Sequence, residues 1–247
     1  MATKPLLDVR SVSKSFGSLK AVNEVSFQVV AGEIFGIAGP NGSGKSTLFN
    51  ALTAIPFRGD QGEVYLDDIP LHRLPPHRIV KAGLARTFQR ETAFDTRSVW
   101  ENVLVARLHA TDVPGALSAE NDVRDTMEFT RISHEEYHRQ ASEVSVFTKK
   151  KVMIASALVM RPKVLLMDEP AAGLTRPEIL ETEDLIRRLH KRGITIVLIE
   201  HVLPLLLAVS DRLMVLNDGR EVVTGLPDDV VNDRRVIASY LGGEAHA

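Results

Sequence analysis

The chain has 247 residues, 44% hydrophobic and 25% charged, enough to bury a real core as one large α/β domain or two small ones. Its 30 lysines and arginines against 32 acidic residues leave a formal charge of −2, which excludes wholesale attraction to nucleic acid or to an anionic membrane. The absence of cysteine excludes disulfide frameworks and thiol chemistry and fits a reducing compartment.

The first residues, MATKPLLDVRSVSKSF, lack the apolar core of a secretory signal. From Leu6 to Gln28 short apolar runs broken by Gly17 and Asn23 predict antiparallel strands. EIFGIAG, Glu33 to Gly39, reads as a buried strand running into a glycine loop, and KSTLFNALTA as the helix after it. GEVYLDD is another short strand, and GLARTFQR a strand end or loop. Residues from Ser98 to about Ser142 turn polar, with helical apolar spacing in VWENVLVARLHA, and predict a helical subdomain inserted in the α/β body.

Beyond it strand and helix alternate: VLLMD, RPEILETEDLIRRLHKRG, TIVLIE, HVLPLLLAVSD, RLMVLNDG. In the first of these helices Ile179, Leu185, Ile186 and Leu189 share a face. That rhythm predicts a parallel sheet covered on both faces. The longest apolar run, HVLPLLLAVSD, is too short to span a membrane and holds Pro204, so a membrane role requires other chains. Lys149, Lys150 and Lys151 form the only dense basic cluster and read as a solvated face.

Two motifs carry chemistry. GPNGSGKST fits G-x-x-x-x-G-K-S between a predicted strand and helix. Gly39 and Gly44 allow successive backbone N–H groups to point at phosphate oxygens, and the helix start adds its positive dipole end. Lys45 would reach the β- and γ-phosphates, and the Ser46 hydroxyl would ligate Mg²⁺. VLLMDEP ends a buried strand in Asp168, suited to Mg²⁺, and Glu169, placed to polarise an attacking water.

The order FG…AVNEVSF, GPNGSGKST, RTFQ, VLLMDEP and IEHV resembles the nucleotide-binding subunit of an ATP-binding cassette transporter over almost the whole chain. GLARTFQ…ENVLVA, DEPAAGL, IEHV…SDRLMVLNDG and VIASYLG are most like the branched-chain amino acid importer branch. The fold implied is α/β: a P-loop NTPase core with a mainly parallel sheet, an N-terminal antiparallel β subdomain and an inserted helical subdomain. It would form one domain, with residues 1–97 and 148–247 as β and core subdomains and 98–147 as the helical one.

The resemblance implies ATP and Mg²⁺ as ligands, with Gly39, Pro40, Asn41, Gly42, Ser43, Gly44, Lys45, Ser46 and Thr47 around the phosphates. It implies that Phe16 stacks on adenine and that Val22 packs against ribose or base. Gln89 would sense Mg²⁺ and γ-phosphate beside Ser46 and Asp168, and His201 would contact the γ-phosphate as a switch. Thr175 stands where many families have Asp, which puts a cross-interface role for that side chain in doubt.

Relatives place an L-S-G-G-Q-like motif before the helix leading to the second carboxylate motif; here that stretch is Val144-Ser145-Val146-Phe147-Thr148. Ser145 is retained, but both glycine positions and the glutamine are replaced. Val146 and Phe147 add side chains where a partner's phosphate comes near, so the reading favoured is impairment, the alternative being that Phe147 points away and Ser145 still works.

The function implied is ATP binding and hydrolysis driving amino acid import, on the cytoplasmic face of the inner membrane. Partners would be membrane permeases, a second ATPase subunit (a hetero-dimer favoured, a homodimer the alternative) and, indirectly, a substrate-binding protein. Nucleic acid is not expected. Open alternatives are an export ATPase, for lipopolysaccharide or another cargo, and a non-transport ATP switch with little turnover. No N-K-x-D-type guanine reader and no kinase acceptor site is found.

Overall fold

The computed structural model describes residues 4–89, 92–110 and 116–241. The chain opens with β1 (Leu7–Phe16), β2 (Leu19–Val29) and β3 (Ile34–Ala38), followed by α1 (Lys45–Thr53), β4 (Gln61–Leu66) and the two-residue β5 (Ile69–Pro70). Then come α2 (Pro76–Ala82), β6 (Leu84–Arg86), α3 (Val99–His109), α4 (Ala116–Phe129) and α5 (Val146–Leu158). The last part alternates: β7 (Val164–Asp168), α6 (Arg176–Lys191), β8 (Thr195–Ile199), α7 (Leu203–Val209), β9 (Arg212–Asn217), β10 (Arg220–Gly225), α8 (Pro227–Val231) and α9 (Arg234–Leu241).

β1, β2, β4 and β5 make an antiparallel sheet in the order β2-β1-β4-β5. The second sheet runs β10-β9-β3-β8-β7-β6 and is parallel throughout except for the edge pair β9–β10. Every residue of β3 (IFGIA), β7 (VLLMD) and β8 (TIVLI) is buried. That is why their sequences are continuous apolar runs: helices or the other sheet cover both faces. One core, with Val9, Val12, Leu48, Phe49 and Leu166, fills the space between the two sheets around α1. A second, with Ile154, Leu185, Leu189, Leu198 and Leu206, covers the opposite face.

α6 shows how local chemistry sets an element. Thr175 and Glu178 form a capping box at its start, and Thr182, Leu185, Ile186 and Leu189 are its buried stripe. Each such aliphatic side chain contributes about 1.5–3 kcal/mol by leaving water.

The helical insertion has its own core of Val99, Val103, Val123, Met127 and Tyr137. α5 belongs to both bodies: Val152 and Ala155, with Val159 at its C-terminal end, face this core, while Ile154 and Ala157 face the main one. The expected subdomain boundary after residue 147 therefore lies within the first turn of α5.

Candidate functional site

Three neighbouring parallel strands deliver the site at their carboxyl ends, where crevices open in sheets of this kind. β3 runs into the glycine loop, β7 ends at Asp168 and Glu169, and β8 is followed by Glu200 and His201. The loop needs glycine for two separate reasons. At Gly39 (φ 148°) an added Cβ would lie 2.1 Å from the Leu216 carbonyl oxygen, and at Gly44 (φ 101°) 2.2 Å from that of Ala21. Gly44 is also the N-cap of α1 and brings no side chain to the helix's first N–H groups, which stay open for an anion.

A cleft of about 380 Å³ opens here, lined by Phe16, the run Asn41–Thr47, Gln89, Glu169 and His201. The Lys45 ammonium is held by the carbonyl oxygens of Gly39 (2.8 Å) and Pro40 (2.9 Å) and by the Ser43 hydroxyl (3.3 Å). Burial pulls its pKa down to about 8, against the opposing pull of Glu169 and Asp168. A polyphosphate offers this ammonium full negative charge in place of neutral oxygens.

Opposite the loop, the buried Glu169 carboxylate accepts from Gln89 Nε2 at 2.7 Å on one oxygen, and His201 Nε2 lies 2.8 Å from the other. Glu169 has φ 50°, a left-handed conformation that costs a non-glycine residue on the order of 1–3 kcal/mol. Its backbone is pinned on both sides: its N–H donates to Ile199 O (2.8 Å) and its carbonyl accepts from Lys150 Nζ (3.2 Å). Asp168 pairs through Oδ2 with Arg86 Nη2 at 2.7 Å, with the two side chains 1% and 5% exposed. Burial raises the Asp168 pKa, and Arg86 counteracts that rise.

The sequence-expected residues divide accordingly. Phe16 reaches the cleft with about half its surface exposed; Phe57 meets its ring edge-on at 5.1 Å and the Lys14 ammonium sits 5.5 Å from its centroid. Val22 requires a correction. It is fully buried in the core between the sheets, because strand alternation turns it away; Ala21 and Leu19 line the cleft instead. Gly39 and Pro40 act through their carbonyls on Lys45 rather than from the wall of the cleft.

Ser145 lies outside this cleft, as the N-cap of α5: its hydroxyl accepts from Thr148 N (3.1 Å) and donates to Thr148 Oγ1 (3.1 Å). Thr148 Oγ1 in turn donates to Glu136 Oε1 at 3.0 Å. Phe147 does not stand out as expected; its ring turns in against the Lys151 ammonium, 4.5 Å from the centroid, and Val146 alone projects, 48% exposed. The solvated reading of the lysine run also needs correcting. Lys150 and Lys151 are buried, their ammonium groups spent on the carbonyls of Glu169 and Arg131.

Two residues escaped the sequence reading. Arg86, at the end of β6, ties Asp168 to Asn50 (Nη1 to Oδ1, 2.8 Å). Glu200, the E of IEHV, is buried beside His201. The signal for Arg86 was a cation placed next to a strand end and three residues before Gln89; a lone charge there names no partner.

The fit to Mg²⁺ rests on Asp168. Its Oδ1 is buried without a hydrogen-bond partner, and Ser46 and Gln89 line the cleft together with Glu169, the next residue along the chain. A carboxylate oxygen, a hydroxyl and the carboxamide of Gln89 are hard oxygen donors, the type this ion takes when phosphates complete its shell.

Comparison with known proteins agrees with this geometry. The sequence model of the ABC transporter family matches residues 22–172, and that of the branched-chain amino acid ATP-binding cassette transporter matches residues 222–246. LivG, the high-affinity branched-chain amino acid transport ATP-binding protein of Escherichia coli (strain K12), is 36% identical, covering 97% of this chain and 99% of its own. BraF of Pseudomonas aeruginosa, described in the same words, is 33% identical, covering 97% and 99%. The crystal structure of the ADP conformation of MJ1267, an ATP-binding cassette of an ABC transporter, superposes with a TM-score of 0.87 at 31% identity, covering 97% of this chain and 100% of that one. The chain belongs to the ATP-binding cassette (ABC) transporter family.

Proposed function

We propose that this chain is the ATP-hydrolysing subunit of an importer for branched-chain or related amino acids. The observation that carries the chemistry is Glu169, a buried carboxylate set between His201 Nε2 (2.8 Å) and Gln89 Nε2 (2.7 Å) at the mouth of the Lys45 loop. Lys45 and the N–H groups of the loop bind the β- and γ-phosphates. Glu169 orients a water against the γ-phosphate and accepts its proton as the bond to the β-phosphate oxygen breaks. His201 contacts the γ-phosphate from the other side, and Phe16 offers a ring face to adenine. Mg²⁺ would be held by Ser46, Asp168 and Gln89, and when bound it neutralises phosphate charge.

The cargo is inferred from the relatives, which are named for branched-chain amino acid transport, and from the match at residues 222–246. Among the described residues no helix is long and apolar enough to cross a membrane, so permease partners would supply the path. A mostly apolar groove of about 210 Å³ next to Gln89, with Phe88, Phe94, Val105, Met153 and Met160 in its wall, suits an apolar segment of such a partner. The chain would then sit on the cytoplasmic face of the inner membrane, with a substrate-binding protein feeding the permeases from the far side.

For the second ATPase subunit we favour a different chain. Where a partner's phosphate would approach α5, this protein presents Val146 and a serine hydroxyl already engaged as a helix cap. A homodimer would carry two such poor faces; a hetero-dimer carries one. The test is ATP hydrolysis by the wild-type chain and Glu169→Gln, alone and assembled with permeases and the second subunit. The assembled wild type turns over; Glu169→Gln binds ATP but loses roughly 10²–10⁴-fold in kcat. Wild-type-like turnover by Glu169→Gln overturns the water-activating role, and brisk turnover by the isolated chain overturns the hetero-dimer.

A further inference from the structure

The loop that carries Glu169 and the loop that carries His201 leave different strands, yet both must hold their groups within about half an ångström for catalysis. Beside the direct Glu169–His201 contact, a buried side chain joins their backbones. Glu200, 2% exposed, accepts from the backbone N–H of Ala171 on Oε1 at 2.6 Å. Its Oε2 accepts from the N–H groups of His201 (3.0 Å) and Val202 (3.2 Å). The two bonds on Oε2 are local and cap the turn into α7; the bond to Ala171 spans 29 residues. Ala171 lies two residues after Glu169, in the loop leading to Thr175 and α6.

We infer that Glu200 is a positioning residue: its carboxylate locks the loop after β7 to the loop after β8, fixing Glu169 and His201 relative to each other. The inference rests on the catalytic reading of those two residues. A carboxylate suits the task better than a neutral group. It offers acceptors on both oxygens and no donor, so it takes N–H groups from two directions at once, and charge-assisted bonds to N–H are about twice as strong as neutral ones. Burial pushes the Glu200 pKa up, while the three N–H donors work against that rise. The lock also supports the left-handed backbone at Glu169, whose carbonyl Lys150 holds from the side of α5. Through Ala171, the loop that leads to Thr175 and α6 is thus tied mechanically to His201.

Glu200→Gln separates this role from a helix cap. Its carbonyl oxygen still takes the His201 and Val202 N–H groups, but its NH₂ now faces the Ala171 N–H, donor against donor. In the assembled transporter we expect kcat for ATP to fall about 10- to 100-fold, the size of effect produced by misplacing catalytic groups. Affinity for a non-hydrolysable ATP analogue stays within about two-fold, since Lys45 and the N–H groups of its loop are left in place. Combined with His201→Ala, the loss is less than the product of the two single losses, because both act on one unit.

Amide hydrogen exchange supplies a second readout. In the unaltered protein Ala171 is protected as His201 is, and in Glu200→Gln only Ala171 speeds up. Wild-type kcat in Glu200→Gln, an unprotected Ala171 in the unaltered protein, or a parallel loss of analogue affinity and of protection throughout α7 would each overturn the inference. Glu169→Gln and His201→Ala, run beside it, keep the two failures apart. If they turn over like wild type, the catalytic reading itself is wrong; if only Glu200→Gln does, the lock alone is.

Discussion

The cleft around Lys45 and the start of α5 are both helix N-termini, and they are finished differently within one chain. At α1 the N-cap is Gly44, which brings no side chain, and Lys45, Glu169, Gln89 and His201 converge on the opening. At α5 the cap is Ser145, whose hydroxyl is taken up by Thr148, with Val146 standing out beside it. The first brings no side chain to its donors; at the second, the Ser145 hydroxyl takes the Thr148 N–H. A helix end binds an anion only where its N–H groups are left unspent and the backbone is uncovered. The cleft thus gathers charged and polar groups at an open helix end, while the start of α5 carries an ordinary serine cap.

Three perturbations test that contrast beyond those already described. The largest acts on the cleft. Arg86→Met removes the cation from a buried pair and leaves Asp168 without its partner, which costs about 3–5 kcal/mol of folding stability. Denaturation in urea measures it, and adding Asp168→Asn recovers part of the loss. A loss under ~1 kcal/mol would mean the pair contributes little to the cleft.

Next in size is the pH response of Lys45. Its pKa, pulled down to about 8, puts the loss of the ammonium within reach of ordinary buffers. Phosphate binds the ammonium form, so affinity for magnesium-ATP is level below pH 7 and falls about tenfold between pH 7 and pH 9. Calorimetry should show proton uptake on binding near pH 8. In Lys45→Ala, binding is weak at every pH and this step disappears.

The smallest effect belongs to α5. Ser145→Ala removes a helix cap and costs about 1 kcal/mol of stability, while affinity of the chain's own cleft for ATP is unchanged. A stability loss with ATP affinity falling in step would mean that the two helix ends are not independent, and the contrast drawn here would fail.

How much was legible follows from range. The glycine loop, the buried strands and the acid pair at the end of β7 are local patterns in which spacing and residue type already carry the physics. The stripe on α6 was read in the same way. Val22, expected at the nucleotide only from the resemblance, is turned into the core by strand phase, which the bulges in the β1–β2 pairing shift. Phe147 was expected to face a partner, and the lysines solvent, because charge and size were weighed without the neighbour that pairs them: Lys151 lies against the Phe147 ring.

Taken alone, the order of residues determined the nucleotide-binding class and the α/β core and marked Lys45, Asp168 and Glu169 as candidates, since each pattern depends on backbone geometry within a few neighbouring residues. Tertiary structure alone decided that Arg86 meets Asp168 across 82 residues and that Glu200 meets Ala171 across 29. It also decided that the Ser145 hydroxyl is engaged by Thr148 and that Phe147 turns in against Lys151. Buried polar groups take whichever partner the fold brings within hydrogen-bond distance, and no periodicity in the chain records that choice.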